Sequence, residues 1–188
     1  MKLLEALNSG LPYLRAPEVT TDTARHPMVG FLRSAIQRQL DTVLDRALWF
    51  NVVDTTLQLD VSGRIETPSN LRTLYTTGNL APVVEARGEY LYNLSNTTDI
   101  FTEPLEVKLV QGLEFEEVPN AAASVVRWAA ALEVYSQRFD AGDSTAKRLA
   151  MFVAQAEQLL EREHLRKKKF NSHNTGAAAR IMAALKGR

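Results

Sequence analysis

The chain has 188 residues, 45% of them hydrophobic, no cysteine, and 22 Lys and Arg against 22 Asp and Glu. That size permits one good core or two small ones, and the lack of cysteine excludes a disulfide framework, a thiol nucleophile and a thiolate metal site while suiting assembly in a reducing cytoplasm. The zero net charge hides a split: residues 164–188 hold seven Lys and Arg and no acid, which leaves residues 1–163 at −7.

In chain order, "MKLLEALNSGLPYL" is expected to form a short helix, since Glu5, Asn8 and Gly10 interrupt it well short of a signal-peptide core. From Pro27 to Leu48 the residues Phe31, Leu32, Ala35, Ile36, Leu40, Val43, Leu44, Ala47 and Leu48 recur at intervals of three and four, the mark of an amphipathic helix. Leu48, Trp49 and Phe50 follow at a change of period and read as an apolar plug between two small cores. Beyond them "TTLQLDV" and "LEVKLV" alternate apolar with polar residues, so residues 49–116 are expected to give five to seven short antiparallel strands. Ser62-Gly63 is placed to join "LQLDV" to "RIETP" as a hairpin, Arg87-Gly88 to join "PVVEA" to "EYLYNL", and Gly78-Asn79 to mark a further turn. Pro119 suits the first turn of a second long helix, with Glu116 and Glu117 near its positive end and a stripe of Ala122, Val125, Trp128, Ala129, Leu132, Tyr135 and Phe139. That helix should stop at Gly142, after which Asp143 or Ser144 can cap a third carrying Leu149, Val153, Ala156 and Leu160 into the polar stretch "EREHLRKKK". The apolar run "AAASVVRWAAALEVY" contains Arg127 and Glu133 and is shorter than the roughly 20 residues a bilayer needs, so no membrane span is expected.

The fold class expected from these elements is α+β. A helical bundle formed from both chain ends (1–48 and 117–163) carries an inserted antiparallel β-domain (49–116), and 164–188 form an extended C-terminal arm. Helices from the two ends must meet, because no single one can bury its stripe alone.

No constellation for catalysis emerges. "ARGEY" and "NSGLP" lack the glycine spacing and the strand-to-helix setting of a phosphate loop. His26, His164 and His173 have neither a paired carboxylate nor a second histidine at metal-ligand spacing. The acid pairs Glu116/Glu117 and Asp140/Asp143 have the composition of a glycosidase pair, but both flank helix starts, where acids answer the helix dipole. The expectation is therefore no enzyme, with no catalytic residue, cofactor or metal site.

Several stretches together resemble the tail tubular protein A family, the head-to-tail adaptors of short-tailed, podovirus-type bacteriophages. They are Leu48-Trp49-Phe50-Asn51, Arg87-Gly88 with Leu91-Tyr92-Asn93, Glu116-Glu117-Val118-Pro119, and Ser136-Gln137-Arg138-Phe139 before Gly142-Asp143. Their order and spacing carry the resemblance across nearly the whole chain, although Leu48 stands where the family usually has Gly or Trp. The resemblance implies a virion protein of the tail or neck, assembled in the host bacterial cytoplasm. It implies a ring of twelve copies between the portal protein and the tail nozzle protein, with the genome passing through the lumen without sequence-specific binding.

Within that frame the basic C-terminal segment is expected to dock on portal through Arg166, Lys167, Lys168, Lys169, Phe170, Arg180, Ile181, Met182 and Leu185. If extended at about 3.3 Å per residue it would reach ~80 Å, with residues 177–185 turning helical on docking. The hairpin tips Ser62, Gly63, Thr76, Thr77, Gly78 and Asn79 are expected to meet the nozzle, as loops on a rigid scaffold often carry contacts. A nucleic-acid-binding module using the basic tail is the alternative reading, although the tail has one aromatic, Phe170, and no stacking ladder. A tail-borne peptidoglycan hydrolase, resting on the acid pairs alone, is another.

Overall fold

The computed structural model describes residues 1–77 and 82–173. Among the described residues, 1–43 and 115–173 make one compact unit, and the rest, within 44–114, make a second.

The first unit begins with α1 (Leu3–Gly10), two of whose leading amides find carboxylate acceptors. Lys2 N–H donates to the Glu5 carboxylate at 3.1 Å and Leu3 N–H to Glu116 Oε1 at 3.0 Å, answering donors that a helix start leaves open. Glu116 thus serves the start of α1. A 3₁₀ turn, Leu11–Leu14, follows. The loop beyond it is held to α1 by Asn8, whose amide donates to Val19 C=O and accepts from Val19 N–H, both at 2.9 Å.

Helix α2 (Pro27–Leu44) has proline at its first position, where the missing N–H is harmless. Leu32, Ala35, Ile36, Leu40, Val43 and Leu44 are buried as the stripe requires, while Phe31 is partly exposed with the Arg138 guanidinium 3.8 Å from its ring centre. The helix stops four residues short of the expected Leu48. Ala47 takes a left-handed conformation (φ 51°), and the Asn51 amide donates to Leu44 C=O at 2.7 Å while accepting from Leu48 N–H at 2.9 Å. A buried side chain therefore ends the helix before its apolar pattern runs out.

Helix α3 (Asn120–Arg138) starts just after Pro119 as the sequence indicates and ends four residues before the expected Gly142, with Phe139 already extended; it is also buried more widely than one stripe. Ala122, Val125 and Tyr135 are buried as expected, and so are Ala123, Val126, Ala130, Ala131 and Val134, whereas Trp128 and Leu132 are half-buried. Small alanines let neighbours approach from several sides: a Cβ built on Gly10 would stand 3.0 Å from Leu32 Cδ2 and 3.5 Å from Ala131 Cβ, so α1, α2 and α3 meet there. Tyr13, Trp128 and Phe152 stack as a second meeting point, with Trp128 and Phe152 ring centres 4.9 Å apart and Tyr13 edge-on to Trp128 at 5.8 Å.

Helix α4 (Ser144–His173) is the longest element, and Asp143 caps it. Its Oδ1 accepts from Thr145 N–H at 2.8 Å and Ala146 N–H at 2.9 Å, while Oδ2 accepts from the Tyr135 hydroxyl at the end of α3. The Tyr135 hydrogen bond and then the Ala146 amide hold the Asp143 carboxyl below its ordinary range. A carboxyl depressed on folding stabilises above its unfolded pKa and loses that contribution as pH falls through the folded value. Asp143→Ala should therefore lower the melting temperature at neutral pH, with the gap from wild type closing in acid. Asp143→Asn, which keeps a capping oxygen, should lose less. Equal melting temperatures for all three chains at pH 7 would remove this role.

The second unit contains two sheets. Strands β1 (Val52–Leu57), β2 (Leu71–Thr76) and β5 (Leu105–Gln111) form an antiparallel sheet in the order β1-β5-β2, and β3 (Val84–Arg87) pairs with β4 (Tyr90–Asn93). The last strand in sequence is thus the central one, pairing Val53 with Leu109 on one side and Leu74 with Leu109 on the other. Leu105, Val107 and Leu109 are buried with Ile65, Leu91 and Phe101, and Leu57, Leu59, Leu71, Leu74 and Val84 pack against them; Glu106 and Lys108 alternate outward. The β3–β4 hairpin turns at Gly88 (φ 68°) as read from sequence.

The expected hairpin across Ser62-Gly63 is not a strand pair. Arg64 N–H donates to Asp60 Oδ1 at 2.9 Å, not to the backbone carbonyl that a ladder would offer, so a side chain competes with sheet pairing. Of the stretch "RIETP", Glu66 alone forms a bridge, and its partner is Tyr90. The α+β class stands, with four α-helices and five strands among the described residues.

Candidate interaction surfaces

The basic segment opens as helix. Residues 164–173 continue α4, so this stretch advances about 1.5 Å per residue where an extended arm would advance about 3.3 Å. Arg166, Lys167 and Lys168 are exposed. Positions 169 and 170 lie in the same helix. Arg180, Ile181, Met182 and Leu185, with the docking helix expected over 177–185, fall outside the described residues. Upstream, the buried face of α4 ends at Leu160, while Met151, Leu159 and Leu165 remain roughly half exposed, a set that the sequence reading passed over because it followed the buried stripe.

In the second unit, Ser62 and Thr77 are exposed and Gly63 and Thr76 are half-buried; Gly78 and Asn79 lie outside the described residues. Thr77 is fixed to the sheet through its N–H and its hydroxyl, which donate to Glu106 C=O at 3.0 and 3.2 Å. Thr76 Oγ1 donates to Pro82 C=O at 2.8 Å. The Ser62 tip is a different object from the one its polar residues suggest. Val61 beside it is fully exposed. The residue was legible only as the last apolar position of "LQLDV", where alternation would have turned it inward.

The acid pairs have structural partners. Besides the Glu116 and Asp143 contacts above, Asp140 Oδ1 accepts from Gly142 N–H at 2.8 Å. A shallow cleft lined by Tyr13, Arg15, Tyr135, Ser144 and Arg148 opens at the start of α4, yet the amides there that could grip an anion already bind Asp143. Among the described residues no cluster of three or more His, Cys, Asp or Glu is arranged to hold a metal, and no helix is long and apolar enough to cross a membrane. His26 uses Nδ1 to accept from Met28 N–H at 3.2 Å, next to the start of α2.

What the geometry offers is surface: a long helix carrying exposed cations at 166–168 and a β-unit with hydrogen-bonded loops. The family model described as tail tubular protein matches residues 4–171. Tail tubular protein A of Klebsiella phage KP34 is 31% identical over 184 residues, covering 98% of this chain and 98% of the relative. The chain belongs to the tail tubular protein family, and with it to the structural proteins of bacteriophage tails.

Proposed function

We propose that the chain is the head-to-tail adaptor of a short-tailed phage, twelve copies forming a ring between the portal protein and the tail nozzle protein, with the genome passing through its lumen. The observation that most supports this reading, beyond family membership, is the placement of charge. An exposed cationic run, Arg166 to Lys168, lies in the last third of a 30-residue helix, on a chain whose first 163 residues carry −7. An acidic body suits a conduit that repels DNA, and an exposed cationic end suits an acidic protein surface such as portal. Closed rings repeat one heterologous contact about an axis, and the exposed Met151, Leu159 and Leu165 supply apolar surface of the kind such contacts bury.

On this reading the free chain is monomeric or weakly associated, because its buried helical faces are satisfied within one copy, and the ring forms on portal as template. Sedimentation at micromolar concentration checks this: a slow species alone and a ring with portal are expected, and a stable ring of twelve without any partner would overturn it. The β-unit is proposed to face the nozzle. Exchanging the tips at 60–64 and 76–79 for short unrelated loops should abolish nozzle attachment and spare portal attachment. The opposite pattern would reverse the two ends.

A further inference from the structure

The loop after β1 is a rigid mount for an apolar side chain. Asp60 Oδ1 accepts from Ser62 N–H and Ser62 Oγ–H, both at 2.7 Å, and from Arg64 N–H at 2.9 Å. Asp60 N–H in turn donates to Arg64 C=O at 2.8 Å, and Gly63 N–H to Asp60 C=O at 3.2 Å. Gly63 sits at φ +79°, a conformation that side-chain-bearing residues avoid. The hydrogen bonds from Arg64 and Ser62 hold the Asp60 carboxyl below its ordinary range.

A second segment is stitched to this loop. Phe101 N–H donates to Gly63 C=O at 2.7 Å, and the Arg64 guanidinium pairs with Asp99 at 3.0 Å. Ile100 lies between these two ties, its Cγ2 3.3 Å from where a Cβ on Gly63 would stand. Phe101 turns into the core while Ile100 stays 55% exposed, and Val61 is exposed completely. Two branched apolar side chains are thus held outward on a hydrogen-bonded frame.

Such a frame binds with little further loss of conformational entropy, which is where preorganised contacts gain affinity. Its surroundings give the partner's chemistry. Asp60, Asp99 and Glu103 outnumber Arg64 locally, and residues 44–114 contain ten Asp and Glu against five Lys and Arg. An acidic rim around an apolar pair is complementary to an apolar socket bordered by Lys or Arg.

We propose that Val61 and Ile100 form a knuckle that seats in a basic-rimmed apolar socket on the nozzle protein. This rests on the proposed orientation of the β-unit and adds to it the side chains that carry the contact. The test uses the full chain assembled on portal, with purified nozzle protein of the same phage as the probe. Val61→Asp and Ile100→Asp should each weaken nozzle binding by about tenfold or more, the loss expected when an apolar side chain no longer enters an apolar site. Both variants should keep the wild-type melting temperature, and Val61→Ile should keep wild-type affinity. Glu103→Gln should flatten the salt dependence of binding.

Wild-type affinity for the Val61→Asp, Ile100→Asp double variant would overturn the knuckle. If exchange of residues 60–64 abolished nozzle binding even so, the orientation would stand and only the knuckle would fall. If that exchange abolished portal binding instead, the orientation itself would fall. Loss of ring assembly with nozzle binding intact would also overturn the proposal, by making Val61 and Ile100 a contact between copies.

Discussion

Truncation after His164 should lower affinity for a portal ring by orders of magnitude while leaving the thermal unfolding of the remaining chain nearly unchanged. The cut removes seven positive charges and, on the proposed reading, the apolar contacts of Ile181, Met182 and Leu185. It spares Ala146, Leu149, Ala156 and Leu160, buried residues of α4. The helical setting of the basic run refines the expectation. Consecutive residues on an α-helix point about 100° apart, so Arg166, Lys167 and Lys168 fan around α4, and a flat partner meets about two of them. Single alanine substitutions across 166–169 should then have unequal effects. The triple change of Lys167, Lys168 and Lys169 to Ala should weaken binding chiefly at low salt, because exposed charges are screened beyond about 8 Å at physiological ionic strength. Replacing Ile181 and Met182 by Asp should weaken it at every salt concentration. A truncated chain that binds portal as tightly as the intact one, yet loses affinity for DNA, would make the basic segment a nucleic-acid contact.

Asn51→Ala should cost the fold about 2–3 kcal/mol, from the loss of partners for buried backbone groups. Asn51 is fully buried, and each side of its amide is used: Oδ1 accepts from Leu48 N–H, and Nδ2 donates to Leu44 C=O and, at 3.3 Å, to Gln111 C=O. Its backbone carbonyl takes Gln111 N–H at 2.8 Å. One residue thereby ties the end of α2 to the end of β5. Alanine leaves the Leu48 amide without its acceptor and removes a donor from two carbonyls. Asn51→Asp should be worse still, since it aims a carboxylate oxygen at those carbonyls in a site without water access. Chemical denaturation would show the difference in midpoint, and an alanine variant as stable as wild type would show that the amide ties nothing.

The same residue marks how far sequence reading reached. Asn51 entered the reading only as the end of Leu48-Trp49-Phe50-Asn51, a stretch that carried a family resemblance; its physical role needed Gln111, sixty residues away, and periodicity says nothing about partners at that distance. Local signals were legible where local physics decides: "DST" announced the Asp143 cap, Pro27 and Pro119 announced helix starts, and "LEVKLV" announced a strand with Leu105, Val107 and Leu109 inward. Legibility failed where a side chain outcompeted the backbone or where pairing was non-local. Asp60 replaced a hairpin with a closed loop, Asn51 stopped α2 early, and the central position of β5 depends on which strands find it. The exposed Val61 was hidden for the first of these reasons, because a residue counted into a strand is assumed to alternate inward. Of the proposed contact residues, Arg166, Lys167, Lys168, Ser62 and Thr77 are exposed.

The split of the helical unit across the chain has a consequence for synthesis. Helix α2 ends at Leu44, whereas α3, which packs against it through Leu32 and Ala131 at Gly10, is complete only at Arg138. At about 5–20 residues per second, the ribosome takes roughly 5–20 s to deliver the second after the first. Through that interval Leu32, Ile36 and Leu40 have no lasting cover, while the strands of residues 44–114 can already find one another. The nascent chain therefore passes through a stage with a finished middle and an open beginning, and its second helix waits for its third.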